Sequence, residues 1–314
     1  MNFKKSLKQA IKLVPIVLLT TGILTGCGQQ NPLTKSNANS NPSQVQSISN
    51  SSTSNSSNST NSNYGGITTD QKSQLANLNY QSGQSAIVNV NNGKSTLNPS
   101  SWTENKVIYS NLDSLNRTSN PNTGFLEARN KANESLRVRQ TVDPTAWHNN
   151  HGQTQIYNRG HMIAYSVSAG ISQNGNYDPN STSGDQNNPK NLFTQTAFSN
   201  QKLQTIYETK VRQAIERGKK VIYQVTPIFR GNELMARGVN LQAISTDGQL
   251  NFNVYIFNVQ PGYTFDYANG NSQVDNSMNV PTPADAPNFN NENNQTNHHK
   301  YFSEFQKAKR IIGR

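Results

Sequence analysis

The 314 residues allow one or two domains, and a hydrophobic share of only 32% is too low for a chain packed throughout. The single cysteine, Cys27, excludes an internal disulfide and a cysteine-ligated zinc centre. A formal charge of +11 favours polyanionic partners (nucleic acid, teichoic-type polymers or anionic lipid) without choosing among them.

Residues 1–26 hold four lysines (Lys4, Lys5, Lys8 and Lys12) and no acid, followed by a short apolar run from Leu13 to Gly22. Leu24-Thr25-Gly26-Cys27 then places small residues ahead of the cysteine. This pattern is similar to a bacterial lipoprotein signal, in which the thiol of Cys27 takes the lipid. The apolar run is too short for a comfortable membrane-spanning helix. The expected location is outside the cytoplasm, lipid-anchored to the membrane of a bacterium of Gram-positive type, with some protein released.

Residues 27–84 are nearly all Ser, Asn, Gln and Thr and are expected to form a disordered tether. A flexible chain of about 57 residues has an end-to-end distance of roughly 40–45 Å, enough to hold a domain away from the membrane. Pattern begins near Ser85, so a single folded domain is expected over residues 85–275. Ala86–Val90 and Val107–Tyr109 read as strands. Gly93-Lys94-Ser95-Thr96 mimics the end of a phosphate-binding loop, but Val88 stands where a glycine is required and no helix follows. Gly124–Gln140 is mixed and basic, compatible with a helix, and carries Arg129, Arg137 and Arg139.

The clearest helix is predicted over Asn200–Arg217, with apolar residues at three- to four-residue spacing and Gly218 ending it. Lys220–Thr226 and Leu250–Phe257 read as strands, the second partly alternating. Strands, one helix, then more strands indicate an α+β domain. Residues 276–314 form a polar tail. It closes on a short basic amphipathic helix marked by Tyr301, Phe305, Ala308 and Ile312, suited to docking on the domain or to membrane or nucleic-acid contact.

Of the five histidines, His161 stands apart in Tyr157-Asn158-Arg159-Gly160-His161-Met162-Ile163. A neighbouring glycine allows close backbone approach, and the apolar residues after it anchor the segment in a core. Downstream, Asn188-Pro189-Lys190-Asn191 and Phe198-Ser199-Asn200-Gln201 lead into the helix, where Asn200, Gln204, Glu208 and Arg212 recur every four residues. Such a ridge is either a solvated face with a Glu208–Arg212 pair or part of a site. An amide oxygen suits Mg²⁺, which keeps several waters and needs few protein ligands. Asn200 and Glu208 would lie about 12 Å apart along a helix axis, so both cannot ligate one ion directly.

In this order and spacing, Asn-Arg-Gly-His, the Asn191/Asn200 pair, Glu208 and Arg212 resemble the DNA/RNA non-specific endonuclease family, the ββα-metal group of Serratia type. Leu112–Arg117, Tyr207–Arg212 and Phe265-Asp266-Tyr267 are similar to its streptococcal DNA-entry nuclease and streptodornase branch. The resemblance covers roughly residues 105–270. It implies a ββα-metal fold with a twisted antiparallel sheet and a sequence-non-specific endonuclease acting on double- and single-stranded DNA and on RNA. It also implies a role for each residue: His161 is the general base, and Asn200 is the ligand of Mg²⁺, with Mn²⁺ as a substitute. Asn191 places the histidine or the scissile phosphate, Glu208 orients waters around the ion, and Arg159, Lys190 and Arg212 offset phosphate charge. The family's motif opens with aspartate, whereas this chain has Asn158, which keeps the hydrogen-bonding shape and loses the charge. Two rival readings differ in class. One is a catalytically inactive nucleic-acid-binding surface lipoprotein, which the complete residue set opposes. The other is a cell-wall hydrolase, which needs zinc ligands or paired carboxylates that His161 lacks.

Overall fold

The structure, a computed structural model, describes residues 64–288 apart from 151, 153, 182 and 183, together with the backbone of 47–48. In chain order the elements are β1 (Ser47–Ile48), α1 (Thr69–Ala76), β2 (Ile87–Val90), β3 (Lys106–Ile108), β4 (Asn122–Leu126), β5 (Tyr157–His161) and β6 (Leu192–Thr196). There follow α2 (Thr205–Glu216), β7 (Val221–Ile228), β8 (Gly238–Ser245), β9 (Asn251–Phe257), β10 (Tyr263–Asp266) and β11 (Asn271–Val274). The main sheet runs β1-β2-β9-β8-β7-β4-β3, antiparallel except for the β1–β2 pair. β5 pairs with β6, and β10 with β11, as separate antiparallel ribbons.

The interior strand β7 is buried along its whole length because both sheet faces are covered. Alternation sends Val221, Tyr223 and Val225 to the larger core, with Leu203, Val211 and Ile215 from the α2 side. It sends Ile222 to the opposite face, with Leu97, Phe125 and Ile244. The ends of α2 follow from local chemistry, since Gly218 takes the positive φ of 77° that stops it.

The second face is covered by residues 64–102, and this corrects the expected domain boundary at residue 85. Helix α1 starts at the N-cap Thr68, whose side chain forms a capping box with Gln71, and it buries Leu75 completely. Burying one leucine is worth about 1.5–3 kcal/mol. The rest of the cover is polar: the backbone N–H groups of Ile67 and Thr96 donate to Gln224 Oε1 and Gln242 Oε1, at 3.1 and 2.9 Å. A Ser/Thr/Gly-rich segment thus docks on the sheet through buried glutamines, which a search for apolar clusters does not register. Met278 and Val280 also pack on the core, so the described chain past residue 275 is partly domain. Except for the backbone of 47–48, residues 27–63 of the expected tether lie outside the described residues, as do Cys27 and the 301–312 helix.

The helix entertained for 124–140 is replaced by strand β4 and two 3₁₀ turns, Ala128–Asn130 and Glu134–Leu136. Phe125 and Leu126 are drawn into the sheet opposite Ile222 and Val221, which leaves the basic remainder without an apolar stripe on which to coil. Among the described residues no helix is long and apolar enough to cross a membrane.

Candidate active site

Strand β5 carries the histidine. Its pairing places Asn158 opposite Gln195 and His161 opposite Leu192 on β6. Side chains alternate along it, with Asn158 turned toward the chain entering α2 and Arg159 toward residues 142–147. Gly160 lies under Gln195, and a Cβ there would overlap the Gln195 side-chain oxygen. Gln195 is fully buried and bonded to Ser199, Gln204 and Asn200, so it cannot swing aside. The glycine of the motif is therefore required by this close approach.

The His161 ring is 7% exposed, and its Nε2 lies 3.0 Å from the main-chain oxygen of Gln186. A carbonyl only accepts, so Nε2 carries the proton and Nδ1 keeps its lone pair. Burial pulls the imidazole pKa down to about 4, which the Gln186 contact partly opposes and the charge of Arg137 reinforces. The ring is thus neutral at neutral pH. Gln186 also grips the 134–139 segment: its side chain accepts from Val138 N and donates to Leu136 O.

Asn191 is fully buried and clamps the chain just after the histidine, accepting from Ile163 N at 2.8 Å and donating to Ile163 O at 3.0 Å. Both ends of its amide grip that backbone and the side chain is fully buried, so it holds the histidine strand and does not face a phosphate.

On the helix side the expected four-residue ridge is interrupted. Ser199–Gln204 forms a π-helical turn, and Thr205 Oγ1 donates to Asn200 O five residues back. Asn200 is thereby offset from Gln204, and both reach Gln195. Asn158 Nδ2 donates to Asn200 Oδ1 at 2.9 Å, while Gln204 Nε2 reaches Glu208 Oε1 at 2.7 Å and the main-chain oxygen of His161 at 2.8 Å. Burial raises the Glu208 carboxyl to about 7, against the Gln204 hydrogen bond and the charge of Arg137.

Three of the expected cations are occupied elsewhere. Arg159 bonds Val142 O, pairs with Asp143 and stacks 4.0 Å from the centre of the Trp147 ring. Lys190 donates to Asn111 Oδ1. Arg212 pairs with Glu216 and Glu134, so the Glu208–Arg212 pair does not form. Arg137, more than half exposed, lies 3.6 Å from Glu134 and over the Tyr165 ring, and its charge bears on both His161 and Glu208. Sequence reasoning noted it only as a basic residue. Gln186 was missed as well, because it contributes to the site through its main chain and carries no motif.

Among the described residues no group of three or more His, Cys, Asp or Glu side chains could chelate an ion. An amide oxygen with a free lone pair, at the half-buried Asn200, suits a hard cation that keeps most of its waters and no softer metal.

The β5–β6 pair leading into α2 against an antiparallel sheet is the ββα-metal nuclease fold. Residues 97–247, just under half of the chain, match the family model for the DNA/RNA non-specific endonuclease. The chain is similar to the crystal structure of NucA from Streptococcus agalactiae with magnesium ion bound, at 28% identity and a TM-score of 0.54 over 66% of this chain and 96% of that one. The same protein with no metal bound gives 29% identity and a TM-score of 0.53, over 66% and 95%. A deoxyribonuclease of Streptococcus dysgalactiae subsp. equisimilis is 36% identical over 63 residues, 18% of this chain. That match spans 19% of the curated relative's length.

Proposed function

We propose that the domain is a metal-dependent endonuclease that hydrolyses phosphodiester bonds of DNA and RNA outside the cell, without regard to sugar or sequence. The observation that carries the reading is the histidine whose Nε2–H is tied to Gln186 O, leaving a neutral Nδ1 in a domain that matches this family model. His161 Nδ1 takes the proton from a water that attacks phosphorus, the opposite P–O ester bond breaks and its departing oxygen takes up a proton from solvent. The Gln186 contact holds the ring and stabilises the imidazolium that forms. Asn200 would hold the Mg²⁺ ion through Oδ1, which fits the magnesium bound by NucA. When bound, the ion neutralises the charge that builds up on the phosphate. Glu208 supplies an acceptor on the helix side. Arg137 offsets phosphate charge at the exposed edge, and Arg159 joins it once a phosphate displaces Asp143. Contacts of this kind read backbone and not base edges, so sequence preference is low.

Purified protein lacking the signal segment is expected to degrade closed-circular plasmid, single-stranded DNA and RNA in Mg²⁺ and to stop on addition of EDTA. Gel electrophoresis over time checks this. Plasmid that is bound but left intact would establish the inactive binding reading, and discrete sequence-specific fragments would refute the base-blind site.

Cys27 is proposed to tether the domain to the membrane by a lipid. Cys27→Ser should then leave the membrane fraction for the medium or stay unprocessed. Tight membrane association of a fully processed variant, seen by fractionation, contradicts the anchor.

A further inference from the structure

We propose that Gln204 is a positioning residue that fixes which end of the Asn200 amide is presented to a cation, acting through a one-way chain of side-chain amides with the buried Gln195 and Gln204 at its inner end. This rests on the nuclease reading with Asn200 as the ion's ligand.

The chain is continuous. Gln155 Nε2 donates to Asn158 Oδ1 (2.6 Å), Asn158 Nδ2 to Asn200 Oδ1 (2.9 Å) and Asn200 Nδ2 to Gln195 Oε1 (2.9 Å). Gln195 Nε2 donates to Gln204 Oε1 (2.9 Å), and Gln204 Nε2 to Glu208 Oε1 and to the main-chain oxygen of His161. A side-chain amide has one donating and one accepting end, so each link constrains the next.

The two groups at the end of the chain decide its direction. An ionised carboxylate and a main-chain carbonyl only accept, and both lie on the same end of Gln204. That end must be NH₂, so the Gln204 oxygen faces Gln195. The NH₂ of Gln195 must then face Gln204, and its oxygen must face Asn200. The Asn200 NH₂ is drawn toward Gln195, and its oxygen is left on the other side, where it accepts from Asn158 Nδ2 and keeps a second lone pair. Turned the other way, Asn200 would offer N–H groups to a cation and repel it. The His161 carbonyl can never donate, so the direction survives protonation of Glu208.

The burial argues that this is no surface accident. Gln195 and Gln204 are both fully buried, and Gly160 leaves the space that Gln195 occupies. The π-helical turn puts Asn200 and Gln204 on the same glutamine, which an uninterrupted α-helix would place on successive turns of one face. Gln204 touches neither the proposed reacting atoms nor the ion, so it is not a catalytic residue.

The test compares Gln204→Met and Gln204→Glu in the protein lacking only the signal segment. Methionine fills the space but removes both ends of the amide. Glutamate keeps the acceptor for Gln195, and so keeps the direction, although it places a second carboxyl beside Glu208. Calorimetric titration with Mg²⁺ alone is expected to show affinity lowered about 10–100-fold in Gln204→Met, the range for residues that orient a metal ligand. Gln204→Glu should recover most of that loss, with melting temperature and DNA affinity monitored alongside. Parent-like Mg²⁺ affinity in Gln204→Met overturns the proposal, and so does an equal defect in both variants. Amide NMR of the ion-free parent supplies a readout independent of activity: Asn200 NH₂ protons should show contacts to Gln195. Finding them directed at Asn158 overturns the proposal even in an active enzyme. A parent that neither cuts DNA nor binds Mg²⁺ overturns the nuclease reading instead, and the NMR contacts still decide the direction of the chain.

Discussion

Replacing His161 by alanine is expected to slow plasmid cleavage by about 10²–10⁴, the usual worth of a general base, while leaving Mg²⁺ and DNA binding close to the parent's. The expectation follows from a ring whose Nε2 is committed to Gln186 O and which belongs to no chelating group among the described residues. Its pH arm departs from the rise near 6.5 that an unperturbed imidazole would give. Burial holds the ring at about 4, so its base form is already present from about pH 5 upward. The limb seen near neutrality should belong to Glu208, whose folded pKa is raised to about 7. The carboxylate is the active form, so the rate rises as pH passes through that value and then levels. Glu208→Gln should abolish this limb, at a cost of about 10–100-fold. A limb near 7 that persists in Glu208→Gln contradicts the assignment, and a His161→Ala protein rescued by excess metal would make His161 a ligand. Stability has a related sign. The unfolded histidine takes up a proton that the folded ring refuses, so its contribution is full above pH 6.5 and lost as pH falls toward 4.

Much of the fold was legible where apolar side chains set the pattern. The predicted strands at 86–90, 107–109, 220–226 and 250–257 correspond to β2, β3, β7 and β9, and the helix to the π turn plus α2. Strand β8 carries a weaker signal: Val239, Leu241 and Ala243 alternate cleanly, but Asn240 and Gln242 stand between them. Those polar residues are buried too, bonded to Asn253, Val254 and Gln224. Covering by amide hydrogen bonds has no hydropathy signature. The same blindness hid the folding of residues 64–84 and suggested that the tether ran as far as the first apolar strand.

The site divides along similar lines. His161, Asn191, Asn200 and Glu208 could be named because their order and spacing along the chain survive folding. The structure moves Asn191 into a backbone clamp, a role that its spacing cannot specify. It also turns Arg159, Lys190 and Arg212 toward Asp143, Asn111 and Glu216, and brings up Arg137. A cation's partner is decided by tertiary contacts between distant segments, which single-chain spacing does not encode. The π turn is equally silent in sequence: Asn200, Gln204 and Glu208 retain the four-residue period of an unbroken helix, while the backbone slips by one residue between the first two.

Asn200→Ala is expected to be nearly as inactive as His161→Ala, but for a different reason that the metal dependence exposes. Removing the amide deletes the oxygen that would hold the ion and also strands its neighbours: Gln195 Oε1 loses the Asn200 NH₂, and Asn158 Nδ2 loses its acceptor. The fully buried Gln195 oxygen left without a partner costs about 1–3 kcal/mol, so a lower melting temperature accompanies the loss of activity. The base remains intact, since no bond joins the His161 ring to Asn200. Raising Mg²⁺, or substituting Mn²⁺, should therefore restore part of the cleavage in Asn200→Ala and none in His161→Ala. Asn200→Asp separates ligand from scaffold. It keeps an oxygen for the ion but has no N–H for Gln195, so it should bind Mg²⁺ better than alanine while melting below the parent. Full activity of Asn200→Ala at the parent's Mg²⁺ requirement would show that the ion is held elsewhere. Rescue of His161→Ala but not of Asn200→Ala would make His161 a ligand of the ion and send the search for the base to Glu208.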